Sequence, residues 1–139
     1  MHTAAQIRAE AHASALRVLR SLELPPGTAL AATGSFARNE MTPHSDIDVI
    51  LIYPEGHEPD PALVEKLWYP VWDAKYRLDY ALRTPQECGA IAAEDASAGF
   101  AQLDLAFVAG RKVLVDEARA QLLAAWRRQL QRGFDDFLD

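Results

Sequence analysis

The sequence predicts an α/β (α+β) domain, a small mixed sheet flanked by helices that pack mainly on one face, and three observations predict it. Helical three- and four-residue apolar spacing alternates along the chain with short β-branched runs. Proline, glycine and capping residues stand at the boundaries between these segments. The length of 139 residues, 50% of them hydrophobic and 24% charged, suffices for one domain with its own core.

Ile7, Ala11, Ala15, Val18, Leu19 and Leu22 recur at helical steps, with Arg8, Glu10, Arg17 and Arg20 mostly elsewhere around the cylinder. Residues 1–24 therefore read as an amphipathic opening helix. Its charges leave no apolar core for a signal peptide. Leu24-Pro25-Pro26-Gly27 ends the helix, because each proline lacks an N–H and Gly27 permits the reversal. Ala29 to Thr33 reads as a strand, Gly34-Ser35 as a tight turn, and Phe36-Ala37-Arg38 as the start of a helix. After a polar loop, Asp46 to Tyr53 has the aliphatic and β-branched content of a central strand, with the first strand as its expected neighbour.

Asp60-Pro61 suits an N-cap followed by the first helical residue, and Pro70 divides the helix that starts there. Arg77 to Arg83 returns to strand character, and Thr84-Pro85-Gln86-Glu87 forms a capping box at a further helix start. Phe100, Leu103, Phe107 and Val108 fit a helix ended by Gly110, while Leu105 to Val108 alone fits a strand. Asp116 is positioned to cap a last helix over 116–132, carrying Leu122, Leu123, Trp126 and Leu130 on one side. The expected organisation is a single domain over 1–139 with a core at 28–109, cut from a longer multidomain protein.

Charge and cysteine usage narrow the function classes. A formal net charge of -6 argues against a surface built to neutralise DNA or RNA phosphates. The single Cys88 has no internal disulfide partner and no metal-like spacing around it, which fits a cytoplasmic, reducing setting. No apolar run approaches the roughly 20 residues needed to cross a bilayer, so no membrane partner is expected.

The chemistry-bearing stretch is Thr33-Gly34-Ser35-Phe36-Ala37-Arg38-Asn39-Glu40, followed by Ser45-Asp46-Ile47-Asp48. Alternation along a strand projects Asp46 and Asp48 from one face, where two carboxylates can share hard divalent cations. Such a pair is electrostatically costly unless metal or solvent neutralises it. Mg²⁺ favours carboxylate, water and substrate phosphate oxygens, and two ions about 3.5–4 Å apart suit phosphoryl chemistry. Gly34 lets phosphate oxygens approach the backbone, Ser35 adds a hydroxyl, and Arg38 one turn further on reads either as reaching a triphosphate or as a solvated helix-surface arginine.

These residues resemble the polymerase-β-like nucleotidyltransferase superfamily. More narrowly, GSFARNEMTPHSDIDVILIYP, LWYPVWDAKYRLDYALRTPQEC and LDLAFVAG resemble the catalytic region of actinobacterial PII uridylyltransferase/uridylyl-removing enzymes. The resemblance implies transfer of UMP, or AMP, from UTP or ATP to a tyrosine of the PII nitrogen-signalling protein. It implies a phosphate-binding turn at Gly34 and Ser35 and metal ligands at Asp46 and Asp48. Asp79 is the candidate third carboxylate, as metal ligand or base, with Asp104 its rival. Asn39 and Arg111 stand where the family has glycine and aspartate. Two further readings remain: a stand-alone minimal nucleotidyltransferase of toxin–antitoxin type, and a module that binds nucleotide or PII without turnover. His2, His12, His44 and His57 read as surface histidines, His44 alone lying near the proposed site. Trp68, Tyr69, Trp72 and Trp126 read as core.

Overall fold

A computed structural model describes residues 3–38, 40–43, 45–94 and 105–138 of the chain. The chain runs α1 (Ala4–Arg20), β1 (Ala29–Thr33), α2 (Gly34–Ala37), β2 (Ile47–Ile52), α3 (Pro61–Leu67), α4 (Tyr69–Asp73), β3 (Leu78–Arg83), α5 (Pro85–Glu94), β4 (Ala106–Gly110) and α6 (Lys112–Leu138). The four strands form one mixed sheet in the order β3-β2-β1-β4. β1 is antiparallel to both β2 and β4, whereas β3 runs parallel to β2.

Local chemistry accounts for most boundaries. The Asp60 carboxylate accepts from the Ala62 N–H at 2.9 Å, with Pro61 at the first helical position. Trp68 separates α3 from α4, where Pro70 denies the helix an N–H. At the start of α5 the Thr84 hydroxyl accepts from the Glu87 N–H at 3.1 Å, and the Glu87 carboxylate accepts from the Thr84 N–H at 3.2 Å.

Both faces of the sheet are covered, which corrects the expectation of helices mainly on one side. Leu30 and Ala32 of β1 and Ile47, Val49 and Leu51 of β2 pack with Leu19, Val64, Trp68 and Val71, beneath α1, α3 and α4. The alternate residues Ala29, Ala31, Ile50 and Ile52 pack with Cys88, Ala92, Leu114, Val115, Ala118 and Leu122, beneath α5 and α6. All of β1 and five of six residues in β2 are buried, the continuous apolar run of a strand enclosed on both sides. Cys88 lies within the second layer, where burial pushes its thiol up to about 11.

The C-terminal half departs further from expectation. Phe107 and Val108 belong to β4, so the strand reading holds there and the helical one fails; Phe100 and Leu103 lie outside the described residues. β4 takes its hydrogen bonds from β1. The last helix begins at Lys112, placing Asp116 inside it, where it pairs with Arg119 at 3.5 Å. Arg119 also donates to the Leu105 carbonyl at 2.9 and 2.7 Å, tying α6 to the entry of β4. The buried stripe of α6 is Leu114, Val115, Ala118, Leu122 and Ala125, whereas Leu123 and Leu130 are exposed. Trp68 is core, Trp126 is half-buried, and Tyr69 and Trp72 are exposed, facing each other with ring centroids 5.9 Å apart. Among the described residues, no helix is long and apolar enough to cross a membrane.

Gly110 ends β4 at φ +90°, and a Cβ there would strike the Thr28 carbonyl oxygen and stand 2.8 Å from Ala29 Cα. Both obstacles are backbone and cannot rotate away. Gly110→Ala is expected to destabilise the domain by about 3 kcal/mol or more through strain and overpacking, read as a lower urea midpoint with unchanged slope.

Candidate active site

Three segments distant in sequence meet at one end of the sheet. The C-terminal end of β1 lies beside the N-terminal ends of β2 and β3, because β1 runs antiparallel to β2 while β3 runs parallel to it. In that register Thr33 pairs with Asp48, and Asp48 pairs with Asp79. Asp48 shares its face with Ile50 and Ile52, so it occupies the end of a row whose inner members lie beneath α5 and α6. Asp48 sits on an interior strand and Asp79 on the edge strand β3, so the acidic residues gather at an end of the sheet rather than along its edge.

Asp46 immediately precedes β2 and is exposed. A short turn presents it: the Ser45 hydroxyl accepts from the Thr42 N–H at 2.9 Å, and the Ser45 N–H donates to the Thr42 carbonyl at 3.1 Å. Asp79 is exposed and Asp48 half-buried. The Asp48 carboxyl is raised above the ordinary carboxylate range, first by burial and then by the negative charges of Asp79 and Asp46, with Arg38 opposing. The three acidic residues and Arg38 thus act within one electrostatic neighbourhood. Asp104 and His44 lie outside the described residues.

Gly34 has φ +67°, and a Cβ on it would stand 2.7 Å from Asp48 Oδ2. The turn therefore brings bare backbone directly against the Asp48 carboxylate. Ser35 follows, half-buried, and its carbonyl accepts from the Glu40 N–H at 2.8 Å. Arg38 forms an ion pair with Glu40 at 3.2 Å on the surface beside the turn. Phe36 is buried and anchors α2 from below.

The sequence reading of His12 as a surface histidine is corrected by the structure. His12 of α1 is half-buried and stacks on Phe36, with ring centroids 4.4 Å apart and planes 14° from parallel. Its position on a polar-looking stretch of α1 carries no local signal of that contact, which depends on how α1 crosses the sheet.

The donor chemistry fits a hard divalent cation. Carboxylate oxygens are its preferred ligands, and Asp48 is half-buried with the negative charges of Asp79 and Asp46 nearby. Among the described residues, no group of three or more His, Cys, Asp or Glu side chains is arranged to hold an ion by itself. Water and substrate phosphate oxygens would complete the coordination, as Mg²⁺ favours.

The model of the nucleotidyltransferase domain family matches residues 14–99, a span that includes Gly34, Asp46, Asp48 and Asp79. A bifunctional uridylyltransferase/uridylyl-removing enzyme of Corynebacterium glutamicum is 52% identical over 139 residues, covering 100% of this chain and 20% of the relative. Its counterpart from Streptomyces coelicolor is 36% identical over 115 residues, covering 81% of this chain and 14% of the relative. The chain thus spans a fifth or less of the length of these two relatives. A crystal structure of a toxin–antitoxin with AMP-PNP covers 92% of this chain and 98% of that chain at 13% identity and TM-score 0.48, too distant to carry an argument. With the family's matched span running through the turn and the acidic strand ends, this chain belongs to the nucleotidyltransferase domain family.

Proposed function

We propose that this domain transfers UMP or AMP from UTP or ATP to a tyrosine hydroxyl of the PII signalling protein, with Mg²⁺ as cofactor. The observation that carries the chemistry is the pairing of Asp48 with Asp79 in register, with Gly34 backbone against the Asp48 carboxylate. The acceptor reading rests on the similarity to the two uridylyltransferases.

Gly34 and Ser35 cradle the phosphates, the glycine by admitting oxygens to the backbone and the serine through its hydroxyl. Arg38 neutralises phosphate charge from the rim. Asp46 and Asp48 would hold Mg²⁺, with Asp79 as third ligand or as base. Mg²⁺ held by these carboxylates would supply positive charge to the α-phosphate and the departing pyrophosphate. The tyrosine oxygen forms a bond to the α-phosphorus as the bond to the bridging oxygen breaks. Pyrophosphate departs with that electron pair, and the tyrosine proton passes to solvent, by way of Asp79 where that carboxylate serves as base.

Incubation with purified PII, Mg²⁺ and either UTP or ATP, followed by intact mass of PII, tests the reading. A gain of one UMP or AMP per PII chain is expected, and its absence with Asp46→Ala/Asp48→Ala. No gain with either nucleotide while NTP and PII both still bind supports the module without turnover, and no binding of PII alongside absent transfer overturns PII as the acceptor.

A further inference from the structure

The Gly34-Ser35 turn is held in place only weakly by its own helix. α2 is a single turn of four residues, and among the described residues its N-cap Thr33 makes no side-chain cap bond. One helical turn is unstable alone, because fixing its dihedrals secures few hydrogen bonds. The direction of the turn is therefore set from below, by Phe36, whose side chain is buried in the layer beneath α1, α3 and α4.

Phe36 is met there by His12, which lies nearly parallel to it in the stack described above. The His12 Nδ1 atom is sealed from solvent and has no hydrogen-bond partner among the described residues. A buried nitrogen left unpaired costs stability, and leucine at this position would avoid that cost. Leucine cannot lie flat on Phe36, however, whereas a ring can. α1 also grips the far side of the site. Two residues on, about 200° around the helix, the Tyr76 hydroxyl donates to the Ser14 hydroxyl at 2.8 Å. The carbonyl of the next residue, Arg77, accepts from the Ile47 N–H at 2.8 Å where β2 begins. α1 thus braces the turn at the end of β1 against the starts of β2 and β3, whose second residues are Asp48 and Asp79.

We propose that His12 is a positioning residue for triphosphate binding: by stacking on Phe36 it fixes the direction in which the Gly34-Ser35 backbone meets phosphate oxygens. Without the stack the turn samples several directions, and a ligand must bear the entropy of ordering it. This role rests on the phosphate-cradle reading above and is independent of PII as the acceptor.

Inorganic tripolyphosphate isolates the phosphate contacts from those to base and ribose. Its affinity for the 139-residue chain is measured by calorimetry with Mg²⁺, beside that of ATP. His12→Ala is expected to weaken both ligands on the order of tenfold. His12→Phe keeps the flat face and removes the unpaired nitrogen, so it is expected to bind within about twofold of wild type and to melt no lower. His12→Leu fills the space without the plane and is expected to stay folded yet bind several-fold more weakly. Tyr76→Phe removes the other tie of α1, and is expected to lower Tm with tripolyphosphate affinity unchanged. Equal binding by wild type, His12→Ala and His12→Leu overturns the role, as does binding by His12→Phe as weak as by His12→Leu. Should His12→Ala unfold, the comparison of His12→Phe with His12→Leu decides. A loss in Tyr76→Phe as large as in His12→Ala also overturns the role, assigning the effect to the docking of α1 as a whole. Wild type that fails to bind tripolyphosphate sinks the cradle reading and this role with it, whereas binding that no His12 variant alters sinks the role alone.

Discussion

Asp48→Asn is expected to lower nucleotidyl transfer roughly a thousandfold or more while raising the Tm of the metal-free domain. The two effects have one origin. In the fold the Asp48 carboxyl is raised above 3.8 by burial and by Asp79 and Asp46, so the folded chain holds that proton more tightly than the unfolded chain does. The resulting stabilisation is complete below the unfolded value and is lost as pH rises through the folded one. At neutral pH the ionised carboxylate is a net cost to the fold, which asparagine removes at nearly constant shape. The same carboxylate is the proposed metal ligand, so asparagine also removes the charge that chemistry needs. Thermal melts with and without Mg²⁺ give the check: wild type gains Tm on adding metal, and Asp48→Asn begins higher and gains less. A variant that loses activity and begins lower would show that the Asp48 carboxylate is structurally required in its ionised form.

Gly34→Ala is expected to reduce transfer on the order of a hundredfold for a stability cost of about 1–2 kcal/mol. The stability cost is that of forcing a side chain into φ +67°. The larger loss comes from the added methyl, which would stand 2.7 Å from Asp48 Oδ2. Unlike the backbone obstacles around Gly110, a half-exposed carboxylate can turn aside. The fold therefore survives while the proposed metal ligand is displaced. Steady-state kinetics beside a urea melt separate the two effects: kcat falls far more than the change in the urea midpoint explains.

Signals confined to a few neighbouring residues were legible in the sequence. Asp60-Pro61 and Thr84-Pro85-Gln86-Glu87 start helices through bonds within one turn, and both operate as read. The turn at Gly34 and the two-residue spacing of Asp46 and Asp48 likewise need no tertiary information. Features that depend on distant partners were less legible. Leu105 to Val108 is short and apolar, a pattern shared by buried strands and helix segments, and pairing with β1 decides between them. Asp116 has the chemistry of an N-cap, but the helix had already begun at Lys112, and Asp116 pairs with Arg119 instead. Coverage of both sheet faces was readable and missed. Ala-Leu-Ala-Ala in β1 and Val-Ile-Leu-Ile in β2 show none of the alternation a one-sided sheet would have. The pairing of Asp48 with Asp79 has no short-range signal, since it follows from the register of β3 on β2.

That register makes catalysis a proofreader of folding. β2 and β3 run parallel, so a crossover spanning α3 and α4 must close before they can pair. A slip of one residue would set Leu78 or Tyr80 beside Asp48 and turn Asp79 toward the layer that holds Trp68. Such a chain could retain every helix and most of its buried area and still lack Asp79 beside Asp48. Regained nucleotidyl transfer during refolding would therefore time the formation of this long-range pairing, whereas helical circular dichroism would time only its local precursors.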